Sequence, residues 1–167
     1  MKNALLFDFV VNKEEKTITL KKEFAANVAL VWDAFTKKEL LEQWWAPKPY
    51  KAKVKTLDLK EGGTWHYAMV GPGGETHWSI VKYGKIVPGK MYTGLTAFTD
   101  AEGNVGKGAP QSNWEVTFMP KGDDAALVQI KVSYTDVAHL EAMIERGFKE
   151  GITMTINYLA ELLPTLK

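Results

Sequence analysis

Val31-Trp32-Asp33-Ala34-Phe35-Thr36, followed by Leu40-Leu41-Glu42-Gln43-Trp44-Trp45-Ala46-Pro47, is the stretch on which the reading of this chain turns. Residues 28–36 read as a short helix with Asn27 as its N-cap. Residues 37–45 read as a second, stopped by Pro47 and Pro49. Trp32, Trp44 and Trp45 fall on these two helices, and a buried indole removes on the order of 150–250 Å² of apolar surface from water. A pair of short helices so loaded must close over a large apolar body, supplied by the protein itself, by a small molecule, or by both.

On the N-terminal side, Phe7, Phe9 and Val11 alternate with Asp8 and Val10, Asn12–Glu15 form a polar turn, and Ile18 and Leu20 continue the alternation. Pairing Val11 with Lys16 predicts Phe9 opposite Ile18 and Phe7 opposite Leu20, an apolar hairpin face. On the C-terminal side the period becomes two from Lys51. Glu61-Gly62-Gly63 and Gly71-Pro72-Gly73-Gly74 are turns that bound a strand over 64–70, and a further strand runs over 75–86. The alternation slips in 81–86, which predicts a bulge and leaves the direction of Tyr83 open. Strands follow over 91–98, 112–119 and 126–135, with connections too short for crossover helices, hence an antiparallel meander. Residues 99–111 form a longer loop, expected to be a mobile lid. Residues 137–163 read as one long helix, N-capped by Asp136 and ended before Pro164. At 1.5 Å per residue it would span about 40 Å, enough to cross a sheet.

Closing Gly71 against Gly74 predicts Trp65 opposite Ile80, Tyr67 opposite Trp78 and Met69 opposite Thr76. One face of that hairpin is then aromatic, with His66, Ala68, His77 and Ser79 on the other. Gly147 and Gly151, each costing about 1 kcal/mol against alanine inside a helix, would leave room on the helix face above it. The expected cavity is lined by Trp65, Tyr67, Met69, Trp78, Ile80, Trp114, Gly147, Phe148, Gly151, Met154 and Tyr158. An apolar pocket with a few polar points is the usual form of a small-molecule site.

The chain has 167 residues, no cysteine and a formal net charge of +1. One domain over 1–167 is expected for this length. The absent cysteines exclude disulfides, thiolate metal sites and a cysteine nucleophile. A nucleic-acid partner is not expected of so balanced a charge. No apolar run approaches the roughly 20 residues that cross a bilayer, and Asp8 interrupts the N-terminal apolar stretch, so a cytoplasmic protein without membrane insertion is expected. His66, His77 and His139 lack the companions a zinc site needs, no Gly-x-Ser-x-Gly nucleophile motif occurs, and Gly71–Gly74 lacks the lysine and helix of a phosphate loop. No cofactor is implied.

Phe24-Ala25-Ala26, the two helical motifs above, Glu61-Gly62-Gly63-Thr64-Trp65 and the late Gly147-Phe148 resemble, in order and spacing, the START-like (SRPBCC) superfamily. More narrowly they resemble the family related to the C-terminal domain of the heat-shock-protein-90 ATPase activator. The resemblance covers residues 16–163, with the strand over 5–11 added before it. It departs at Asn27, where the family often has proline. It implies an α+β helix-grip fold of the birch-pollen-allergen type, a curved antiparallel β-sheet wrapped around a long C-terminal helix with two short helices after the first strands. It also implies binding of a hydrophobic or amphipathic small molecule, lipid-like or aromatic, between sheet and helix. A cyclase or aromatase acting on a polyketide is the enzymatic alternative, with Tyr67, Tyr158, Glu75 or Lys82 as candidate acid or base. The family name also implies a chaperone co-regulator, but the match begins near residue 16, leaving no room for the activator's other domain, so a chaperone partner is not expected. A homodimer is compatible with all of this.

Overall fold

The computed structural model describes residues 5–106 and 110–166. Eight strands, β1 Phe7–Asn12, β2 Thr17–Phe24, β3 Lys51–Leu57, β4 Thr64–Val70, β5 Thr76–Val87, β6 Met91–Thr99, β7 Gln111–Pro120 and β8 Ala126–Tyr134, form one sheet. Their order is β1-β2-β8-β7-β6-β5-β4-β3 and every pairing is antiparallel. The helices are α1 Val28–Thr36, α2 Lys38–Trp44, α3 Val137–Glu145 and α4 Phe148–Leu162, with a 3-10 turn over Leu163–Leu166. This is the helix-grip architecture expected from the sequence.

The two tryptophan-bearing helices form as their caps dictate. Asn27 Oδ1 accepts the Leu30 N–H at 2.9 Å, satisfying one of the amides that a helix start leaves unpaired. Trp44 is 1% exposed and its indole N–H donates to Ala34 O at 2.9 Å, locking α2 to α1. Phe35 meets both Trp44 and Phe118 edge-on, so the helices are seated on β7 through aromatic contacts. Glu42, from the same motif, accepts the Val54 N–H at 2.9 Å where β3 slips register against β4. The edge strand β3 is thereby tied to α2, and its Lys51, Lys53 and Lys55 face solvent.

The predicted bulge lies in β5, between Tyr83 and Ile86. The Glu61-Gly62-Gly63 motif closes it. Gly62 N–H donates to Tyr83 O, Tyr83 N–H to Gly63 O, and Glu61 Oε2 accepts the Ile86 N–H. Tyr83 points into the core, edge-on to Tyr92.

Four expectations are corrected. The β1–β2 register sets Phe9 opposite Leu20 and Val11 opposite Ile18, two residues from the predicted pairing. An even shift keeps every side chain on its face. The β4–β5 register is displaced by one, with Tyr67 opposite Ser79, Trp65 opposite Val81 and Ala68 opposite Trp78. The turn holds three residues rather than two: Gly71 N–H donates to Glu75 O, and Gly74 sits at φ 88°. An odd shift inverts faces, so Trp78 and Ile80 leave the concave side while His77 and Ser79 enter it.

The long helix, too, is two helices. Gly147 has φ 91°, a left-handed conformation that ends α3, with Arg146 N–H on Ala142 O and Gly147 N–H on Ile144 O. Residues 99–106, finally, do not cover the concave side. Asp100 accepts the Glu102 and Asn104 amides, His66 Nε2 lies 3.0 Å from Thr99 Oγ1, and Lys55 Nζ donates to Ala101 O, all on the convex face beside Trp78. The remainder of the predicted lid includes residues 107–109, which lie outside the described residues.

Candidate functional site

The concave face of the sheet is filled at one end and hollow at the other. Ile18, Leu20, Val116, Phe118, Val128 and Ile130 pack against Phe35, Ile156 and Leu159 to make the dry core. Beyond Trp114 the packing opens into a hollow of about 260 Å³. A protein interior leaves few voids larger than a water, so this space is a feature of the fold. Phe98, 52% exposed, and Pro110 stand at its mouth.

The walls are built from four sources. Trp45 and Pro47 come from the end of α2. Tyr67, Met69, His77, Ser79, Thr96, Ser112, Trp114 and Tyr134 come from successive strands β4 to β8. His139 and Met143 come from α3, and Phe148, Gly151, Ile152 and Thr155 from α4. Trp45 is edge-on to Trp65 at 4.9 Å and 6.1 Å from Trp114. Gly151 contributes space, since a Cβ built on it would meet nothing within 4 Å. Among the described residues no Asp, Glu, Lys or Arg lines the hollow.

Its polar atoms fall into two kinds. Some are satisfied, as where Thr155 Oγ1 donates to Ile152 O. Burial raises the Tyr67 pKa, and the neighbouring Trp45 and Ser79 side chains offset it only in part. Others are unspent. Thr96 Oγ1 and His139 Nδ1 are buried without a hydrogen-bond partner among the described residues. Burial also holds the His139 pKa below its ordinary value, outweighing the attraction of Asp136, with Arg146 adding to the depression. The Tyr134 hydroxyl is pushed up to about 12 by burial alone.

Of the cavity residues read from the sequence, Tyr67, Met69, Trp114, Phe148 and Gly151 line the hollow. Trp65 lines a small adjoining recess behind it, with Val81, Tyr92 and Thr96. Trp78 and Ile80 lie on the convex face, where the Trp78 ring lies 4.8 Å from that of His66, tilted by 35°. Gly147 is the break between α3 and α4, and Met154 is 40% exposed. Tyr158 faces the α2–β3 connection, its hydroxyl accepting the Lys48 N–H at 3.2 Å. His77, Ser79, Thr96, Ser112, Tyr134 and His139 were missed. The inverted β4–β5 register hid the first two, and alternation with Trp114 on β7 would have pointed to Ser112. His66 and His77 occupy opposite faces of the sheet, and among the described residues no group of three or more His, Asp or Glu is placed to hold a metal ion. Nor is any helix among them long and apolar enough to cross a membrane.

A family model described as Activator of Hsp90 ATPase homolog 1-like protein matches residues 25–164. Among solved structures, the chain is similar to protein Ms6760 from Mycobacterium smegmatis, at 25% identity and a TM-score of 0.85, covering 98% of this chain and 100% of that one. A protein from Arthrobacter aurescens superposes at 22% identity and a TM-score of 0.87, over 95% and 91% of the two chains. CalU16 from Micromonospora echinospora shares the fold at 19% identity and a TM-score of 0.62, over 96% and 87%. No curated protein matches the chain.

Proposed function

This chain belongs to the Activator of Hsp90 ATPase homolog 1-like family, and on that premise we propose that it binds a hydrophobic or amphipathic small molecule between the sheet and α4. The observation that carries this reading is the hollow itself, whose walls join aromatic surface from Trp45, Trp114 and Phe148 to a few unspent polar atoms. Binding sites are commonly of this composition. Its size sets the scale. A cavity of about 150 Å³ takes up benzene, so 260 Å³ suits a bicyclic ring system better than a long acyl chain.

The enzymatic reading has less support. Of Tyr67, Tyr158, Glu75 and Lys82, only Tyr67 reaches the hollow. With its pKa raised by burial, Tyr67 is a proton-bearing hydrogen-bond donor at neutral pH and not a base. Such a group orients a ligand more readily than it abstracts a proton. The co-regulator reading rests on the family's name alone.

Titration calorimetry with bicyclic arenes and with long-chain alcohols tests the proposal. Saturable binding of the arenes with weaker binding of the long chains is the expected result. Binding of neither class would remove the reading.

A further inference from the structure

The register of the sheet arranges the hollow's hydroxyls in a line. Thr96 on β6 stands directly opposite Ser112 on β7, and Ser112 directly opposite Tyr134 on β8. Directly opposed residues on one sheet face lie about 4.5–5.5 Å apart at Cβ, so the three form a continuous row across the sheet wall. His139 continues it, its ring edge-on to Tyr134 at 4.8 Å. Thr96 Oγ1 and His139 Nδ1, at the two ends, have no protein partner among the described residues. Nothing along the row offsets the rise that burial imposes on the Tyr134 hydroxyl.

Unpaired buried polar atoms are costly and call for explanation. Here the explanation is complementarity to a ligand. A row of hydroxyls can donate or accept at each position, and so can a ligand hydroxyl. A carboxylate is disfavoured, because among the described residues no Lys or Arg lines the hollow to offset the water an anion would lose there. Beside the row, Trp114 on the same strand as Ser112, with Trp45 and Phe148 next to it, offers ring faces and edges to an aromatic body.

We propose that the hollow selects an uncharged bicyclic hydroxyarene, its oxygen held by the Thr96–Ser112–Tyr134 row and its rings by Trp45, Trp114 and Phe148. This rests on the binding reading above and adds to it the charge, the oxygen and the residues that take it.

The test is calorimetric titration of the full chain with naphthalene, naphthol and naphthoate at neutral pH. Naphthol should bind roughly three- to tenfold tighter than naphthalene, the increment of one or two net hydrogen bonds. Naphthoate should bind at least roughly tenfold weaker than naphthol. Tyr134→Phe and Ser112→Ala should each remove several-fold of the naphthol affinity and leave naphthalene within about twofold. Thr96→Ser, which keeps the hydroxyl, should retain the naphthol preference. Equal affinity for naphthol and naphthalene, or naphthoate binding tightest, overturns this inference and leaves the binding reading standing. Failure of all three compounds to bind overturns both.

Discussion

Trp114 on β7 and Phe148, the first residue of α4, meet edge to face with ring centroids 6.1 Å apart and planes at 85°. This contact holds sheet and helix together at the point where the packing opens. One turn further along α4 stands Gly151, the helix position that leaves the space beneath it empty.

The two late glycines should therefore respond oppositely to the same change. Gly151 is inside α4 with open space around it, so Gly151→Ala should stabilise by up to about 1 kcal/mol through helix propensity. Gly147 is left-handed at the helix break, where a Cβ is strained, so Gly147→Ala should destabilise by about 1–2 kcal/mol. Urea unfolding of the two variants measures both signs. A stabilising Gly147→Ala would restore the continuous helix that the periodicity suggested.

How much of this was legible from sequence depends on where local rules act alone. The Asn27 and Asp136 caps, the bulge in β5 and the two tryptophan helices are set by short-range chemistry, and all stand as read. The single helix expected over 137–163 runs through the α3–α4 break because a glycine at the break and a glycine inside a helix look alike in one sequence. Both hairpin registers depended on counting loop residues. The two-residue error in β1–β2 was harmless, and the one-residue error in β4–β5 moved Trp78 and Ile80 out of the site and His77 and Ser79 into it. Ser112 follows the alternation of β7, but its meeting with Thr96, Tyr134 and His139 is made only by the folded chain.

Trp78 and Trp114 give a direct test of that corrected register. Trp114→Ala should lower arene affinity by roughly tenfold or more, since a central aromatic anchor is lost. Trp78→Ala should leave affinity within about twofold while costing about 1–2 kcal/mol, from lost contacts with His66 and Lys55 on the convex face. Loss of binding in Trp78→Ala would mean that the predicted face, and not the observed one, lines the site.

At alkaline pH the buried phenols become a liability. Tyr67 and Tyr92 are raised by burial, Tyr92 further by Tyr83 and Tyr67, and Tyr134 stands at about 12. Each is protonated in the folded state while its unfolded counterpart ionises near pH 10, so the unfolded chain holds fewer protons there. Stability is fully present below about pH 10 and falls as pH rises toward the folded values. Tyr92→Phe should flatten this alkaline loss in urea midpoints followed against pH.

His139 works in the other direction. Its folded pKa is depressed, chiefly by burial, so between that value and about 6.5 the unfolded chain binds more protons. Its contribution is complete above about pH 6.5 and is lost as pH falls through the folded value. His139→Gln should reduce the dependence of stability on pH in that window. An unchanged slope would show that the imidazole is as free to protonate in the folded protein as in the unfolded chain.

The central claim, that the hollow beside Gly151 is where a small aromatic molecule sits, is tested most directly by filling it. With naphthol at about one hundred times its dissociation constant, the wild-type chain should gain about 2.7 kcal/mol, a rise in melting temperature of roughly 5–10 °C. Gly151→Phe should fold with a melting temperature at or above that of wild type and show no naphthol-dependent rise. A wild-type chain that does not respond, or a Gly151→Phe chain that responds equally, would contradict the account.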